Sequence, residues 1–253
     1  MPFTFSHPAA VLPFAYIPKR LVSMTGMIIG STAPDFEYFI RMRDRSYYSH
    51  TWAGMFYFDL PLCIMLAFIF HAIVRNPLID NMPGFLSKRL QSFKQFDWAL
   101  HFRENIPVVL ISIIIGTASH IIWDKFTHGN SETSAAWFPF LLKTFHLGNM
   151  KLAVYDVLQH LSSIAGALLI FYAVMKIPVQ PYISKPMSTM VWFWFMVGVM
   201  SLPVFVIRIL TKNYHHNRDD IIMLMITAGL SGLVFASLLF GRKPVPHSAT
   251  GQT

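Results

Sequence analysis

The stretch IPVVLISIIIGTASHIIWDKFTH, residues 106–128, decides how the chain is read. From Ile106 to Trp123 it carries no Asp, Glu, Lys or Arg. At about 1.5 Å per residue, such a run crosses most of a roughly 30 Å hydrocarbon core. It then closes on Asp124, Lys125 and His128, with His120 one turn earlier. On a helix, residues i, i+4 and i+8 drift by only about 40° per step, so His120, Asp124 and His128 share one face if the helix continues past Trp123.

Composition separates a membrane span from a buried helix of a soluble protein. The 253-residue chain is 54% hydrophobic and 13% charged, with a mean hydropathy of +0.48. A soluble domain carries about 25% charged residues. Four more apolar runs follow the same pattern, approximately Met55 to Val74, Val157 to Ile177, Thr189 to Leu210 and Ile221 to Phe240. The expected fold class is therefore all-α: an integral membrane helical bundle with about five transmembrane helices. Residues 1–240 read as one membrane-embedded domain and residues 241–253 as a flexible polar tail.

Near the N-terminus, HPAAVLPFAYIP (7–18) and LVSMTGMIIGSTAP (21–34) are apolar but short and broken by proline, which predicts a re-entrant or interfacial segment. No basic n-region or small-residue cleavage site marks a signal peptide. The single cysteine, Cys63, excludes an intrachain disulfide. A net charge of +8 fits basic loops at anionic headgroups, and no nucleic-acid-binding module accompanies it, so the expected partners are membrane lipids and not nucleic acid. Lys and Arg divide almost evenly between the two sides, which leaves orientation open.

Sorting residues by side gathers a set. His7, Asp35 and His50 precede the first span, His120, Asp124 and His128 end the second, and His160 begins the third, all expected near one face. His71 and His101 fall on the other. A carboxylate and an imidazole one turn apart can grip a divalent ion, so these seven residues are candidate metal ligands. Asp35 follows Pro34, where a turn is expected, and alternatively caps FEYFIRM. Asp59, inside the first span, is a candidate acceptor for a ligand imidazole, or an interhelical hydrogen-bonding group. The small residues Ser162, Ser163, Ala165, Gly166 and Ala167 after His160 predict close packing of the second and third spans, with His120 facing His160. His215 and His216, with Asp219 and Asp220, read as a wet loop.

The motifs FTFSHPAAVLP, IIGSTAPDFEYF, SHTWAGMFYFDLPL, FHAIVRNPLI, ASHIIWDKFTH and LQHLSS together resemble the uncharacterised bacterial membrane-protein family catalogued as domain of unknown function 4184, over residues 1–240. More distantly, the order of His and Asp is similar to that of zinc-dependent phospholipase C and the S1/P1-type nucleases. That resemblance implies Asp35, His50, His120 and Asp124 on one zinc, Asp124, His128 and His160 at further metal positions, and His7 near the N-terminal one. Those enzymes use a terminal Trp amine and a His-x-x-x-Glu/Asp pair. Here the chain begins Met-Pro-Phe and Ile164 follows HLSS, so one or two ions are expected.

The implied activity is metal-dependent hydrolysis of a phosphoester or lipid-type substrate in the bacterial inner membrane, with Asp35 orienting or deprotonating the attacking water. Arg41, Arg43, Arg45 and Lys125 either hold phosphate or anchor the chain at the membrane surface. A non-enzymatic metal or haem protein, with His120 and His160 as axial ligands, and a transporter or scaffold are the alternatives.

Overall fold

The computed structural model describes residues 4–127, 138–148, 150–182, 185–211 and 217–241. His128, His215, His216 and all but the first residue of the expected tail lie outside the described residues. After an N-terminal 3-10 helix (Thr4–Tyr16) come α1 (Met24–Gly30) and α2 (Ala33–Arg41). The first long helix, α3, spans Met55–Asp80, and the short helices α4 (Gly84–Leu90) and α5 (Trp98–Glu104) link it to α6 (Ile106–Thr127). A small antiparallel hairpin, β1 (Thr144–Leu147) and β2 (Met150–Ala153), precedes α7 (Val154–Lys176). Last are α8 (Met187–Ile209) and α9 (Arg218–Phe240). The five long helices are each apolar and long enough to cross a membrane, and the chain is an all-α integral membrane bundle.

Helix α3 shows how a span tolerates proline. Its π-helical turns, Met55–Asp59 and Phe70–Val74, lie just ahead of Pro61 and Pro77. A proline removes one backbone N–H and crowds the carbonyl four residues back. Widening the preceding turn relieves that crowding without exposing backbone to hydrocarbon.

The N-terminal segment enters and leaves on the same face. Ser6 Oγ donates to the Ser163 carbonyl of α7 at 2.8 Å, and the ring of His7 stacks on His120, which places the start of the chain at the same end of α6 as Asp124. By Ser23 the backbone has reached the depth of Ser112, whose Oγ accepts the Ser23 N–H at 2.9 Å. Ser112 lies twelve residues below Asp124 on α6, a drop of about 18 Å. Helix α1 then climbs alongside α6, and the Ser31 carbonyl arrives at His120. The expected re-entrant segment is thus present, and His7 stays on the same side as Asp124.

Glycine makes that climb possible. A Cβ on Gly26 would meet Ser112 Cβ and the Val109 carbonyl at 3.1 Å. A Cβ on Gly30 would run into the carbonyl of Ile113, and one on Gly116 into that of Met27. Backbone therefore lies against backbone, as small-residue packing allows in membranes.

Two expectations are corrected here. The small residues of α7 receive the N-terminal 3-10 helix: a Cβ on Gly166 would lie 2.8 Å from the Ser6 carbonyl. With that helix seated on the small-residue stripe, His160 does not face His120; it is exposed while His120 is fully buried. Asp35 is neither a loop residue nor an N-cap. Helix α2 begins at Ala33 with Pro34 in its first turn, where the missing N–H costs nothing.

Replacing Gly30 or Gly116 with Leu is expected to destabilise the bundle by about 1–3 kcal/mol through overpacking. Thermal unfolding in detergent, compared with Gly198→Leu, where a Cβ meets nothing within 4 Å, checks this. Equal melting temperatures for all three variants would contradict the close approach.

Candidate metal centre

Four side chains from three parts of the chain converge at the polar end of α6. Helix α6 supplies His120 and Asp124, the first turn of α2 supplies Asp35, and the loop before α3 supplies His50. His120 Nε2 lies 3.5 Å from Asp35 Oδ1 and 3.3 Å from Asp124 Oδ2. His50 Nε2 lies 3.5 Å and 3.4 Å from the same two oxygens. All four ligand atoms fall within 4.8 Å of one another. A regular tetrahedron of donors about 2.0–2.1 Å from its centre has edges of about 3.3–3.4 Å.

These distances favour a shared ion over direct pairing. Charge-assisted N–H to carboxylate hydrogen bonds close to about 2.7–2.9 Å. Here, among the described residues, neither His50 Nε2 nor His120 Nε2, both buried, makes a hydrogen bond. The donor set fits a divalent metal, and this Asp–His–His–Asp group could hold one.

The other ring nitrogens set the orientation. His120 Nδ1 lies 2.7 Å from the Ser31 carbonyl, which can only accept, so Nδ1 carries the proton and Nε2 is left to coordinate. His50 Nδ1 meets the hydroxyls of Ser49 at 2.9 Å and Ser46 at 3.1 Å. Asp35 Oδ2 accepts from Thr4 Oγ1 at 2.5 Å, which turns Oδ1 toward the imidazoles.

Sequence reasoning passed over the residue that holds His50 in place. Glu37, two residues beyond Asp35 on α2 and 1% exposed, receives the backbone N–H groups of Tyr47, Tyr48 and Ser49, each at 2.9 Å, and Arg41 Nε at 2.7 Å. Burial opposes its charge, but the three N–H groups and Arg41 outweigh burial and hold its pKa down to about 2. A buried Glu beside an ordered SYYSH turn was the available signal. It is readable only once the loop is seen to fold back.

The remaining candidates are placed differently. His7 stacks on His120, with centroids 3.9 Å apart, and its Nε2 lies 3.7 Å from Asp124 Oδ1, the oxygen turned away from the four-donor group. Asp59 is fully buried, and among the described residues neither of its oxygens has a hydrogen-bond partner. It does not serve as acceptor for a ligand imidazole, because Ser46 and Ser49 take His50 Nδ1 and Ser31 takes His120 Nδ1. His160 stands apart from the group, and with it the haem pairing of His120 and His160. Asp220 ties the bundle together instead: its Oδ1 accepts the Asp44 N–H at 2.8 Å. Arg41 packs over Tyr47 and Tyr48, and Lys125 over Trp52.

Electrostatics follow the geometry. Burial works to raise the Asp35 pKa, but the His120 and His50 imidazoles prevail and hold it well below the usual carboxylate range. Burial works to lower that of His50, but Asp124 and Asp35 push it up to about 8, from 6.5. In metal-stripped protein His50 therefore adds stability that is fully present below pH 6.5 and lost as pH rises through about 8. Metal affinity is expected to rise over the same window, as the imidazole gives up its proton. Chelator competition across that window reads this directly. Glu37→Gln, which points an amide N–H₂ at backbone donors, is expected to weaken metal binding about 10- to 100-fold. An unchanged affinity would show that the loop needs no such anchor.

No curated protein and no solved structure gives a match to this chain. Residues 1–241 match the model of a family described as a domain of unknown function (DUF4184), and the chain belongs to that family.

Proposed function

We propose that the protein is a membrane-embedded, metal-dependent hydrolase acting on a phosphoester, with a lipid-type substrate and a bacterial inner-membrane location. The observation that carries this reading is a thiol-free donor set with one sheltered and one open edge. The His120 and Asp35 side chains are 0% and 2% exposed, against 21% for His50 and 13% for Asp124. Structural zinc sites are typically closed and rich in cysteine, whereas His and carboxylate sets with an accessible side serve catalysis. Zinc is the ion that best suits two imidazoles and two carboxylates in tetrahedral array.

When bound, such an ion supplies Lewis-acid chemistry, polarising a phosphoryl oxygen and bringing the pKa of water toward about 7. The chain's own residues supply the rest. Thr4 and Ser31 fix the two sheltered ligands, so the site is preorganised before substrate arrives. Both Asp35 oxygens are engaged, one by Thr4 and one toward the imidazoles, which makes Asp35 a ligand and leaves proton transfer to another group. His7 is placed to carry that proton, because its Nε2 borders Asp124 Oδ1, where it can accept from an attacking water or donate to a leaving oxygen. Substrate would approach over the His50–Asp124 edge, the more exposed side of the donor set.

Elemental analysis of the detergent-purified protein is expected to find about one divalent ion per chain, lost in His120→Ala and Asp124→Ala. Hydrolysis of bis(p-nitrophenyl) phosphate or of a phospholipid should fall at least about 100-fold in both variants, and His7→Ala should lower kcat while retaining the ion. A folded wild type that takes up no metal on reconstitution would sink the hydrolase reading.

A further inference from the structure

The motif FHAIVRNPLI closes α3 at the end remote from the metal centre, and the proposed hydrolysis uses none of it. There His71 and Arg75 line a cavity of about 330 Å³, together with Phe68, Lys94, Phe96 and Trp98. The cavity sits between the last turns of α3 and the segment leading into α5 and α6.

Arg75 is 7% exposed, and its hydrogen bonds all go to neutral acceptors. Nε donates to Asn76 Oδ1 at 3.0 Å, Nη1 to the Phe96 carbonyl at 2.6 Å and to His71 Nδ1 at 3.0 Å, and Nη2 to the Lys94 carbonyl at 3.1 Å. Because a guanidinium only donates, His71 Nδ1 must accept, so His71 is neutral and its Nε2–H donates to Thr25 Oγ1 at 3.1 Å. Among the described residues Arg75 takes part in no ion pair. The nearby carboxylate of Asp80 is held by Lys94 at 2.6 Å and Lys185 at 3.8 Å. The lining carboxylate, Asp97, caps α5 by accepting the Leu100 N–H at 3.0 Å. A permanent charge is thus buried near the end of a span with no carboxylate in contact among the described residues, and Asp97 attracts it only from beyond ion-pair distance, an arrangement that a bound anion would relieve.

A second observation points the same way. Trp98 is 3% exposed and stacks on His71, with centroids 5.2 Å apart and planes at 9°, yet among the described residues its buried Nε1–H has no acceptor. An indole N–H donates only, so what the cavity lacks is an acceptor. One Nη2 hydrogen of Arg75 also remains for a ligand.

We propose that this cavity binds a phosphate-bearing anion, whose oxygens accept from Arg75 Nη2 and Trp98 Nε1. The phosphate belongs either to the headgroup of an anionic phospholipid from the leaflet at this face or to a soluble compound. The site is separate from the metal centre, and its test does not read hydrolysis.

The experiment measures thermal stabilisation and binding for the full chain in uncharged detergent. The probes are inorganic phosphate against chloride at equal ionic strength, and dioctanoyl phosphatidylglycerol against dioctanoyl phosphatidylcholine. Saturable binding of phosphatidylglycerol alone identifies the lipid source, and saturable binding of inorganic phosphate identifies phosphate recognition as such. Either should be lost in Arg75→Gln and weakened about tenfold or more in Trp98→Phe, which keeps the ring against His71 and removes only the donor. If Arg75→Gln fails to fold, Trp98→Phe decides. No preference over chloride and phosphatidylcholine in the wild type, or undiminished binding in Trp98→Phe, overturns the proposal.

Discussion

Backbone contact between α1 and α6 is the constraint on which the polar end of the bundle depends. Gly26 and Gly30 on one helix and Gly116 on the other let the two main chains touch, at positions where a methyl group would strike a carbonyl oxygen. The contact fixes how far α1 rises along α6. It therefore fixes where the Ser31 carbonyl meets His120 and where α2 starts, so Asp35 reaches its place because of a packing event three turns away on α6. Hydrocarbon offers no partner for a free carbonyl, which is why a non-spanning segment at this depth must lie against protein.

Around this anchor, the two ends of the molecule solve opposite problems. At one end, two carboxylates and two imidazoles converge at spacings suited to a shared cation, and the Glu37 carboxylate orders the loop that delivers His50. At the other, a guanidinium is walled in by carbonyls and a neutral histidine, with a donor-only indole beside it. One centre gathers acceptors and the other gathers donors. Of the spans between them, α7 and α8 turn most of their surface outward.

Five spans, the re-entrant N-terminal segment and the helical pairing of His120 with Asp124 were legible in the chain because each rests on local periodicity or on apolar run length. Span boundaries moved by a few residues, as at α3, which runs on to Asp80 past the expected Val74. The partner of the small-residue stripe on α7 was not legible. Small residues advertise close packing without naming what packs: α6 and α7 do touch, but it is the N-terminal 3-10 helix that lies against Gly166. His160 left the site as a result.

By itself, then, the sequence determined the solvent of the fold and the residue types of the site: apolar runs of span length can only be membrane helices, and His and Asp one turn apart on α6 can only share a face. Tertiary structure decided which remote residues complete the set. Asp35 and His50 join His120 and Asp124 because glycine contacts and the Glu37 carboxylate place α2 and the following loop against α6, while His7 lies at the outer oxygen of Asp124 and Asp59 is enclosed with no hydrogen-bond partner among the described residues. The physical reason is that helical periodicity fixes neighbours within one turn. Contacts between distant segments depend on side-chain volume and on backbone donors and acceptors that become visible only once the chain has folded.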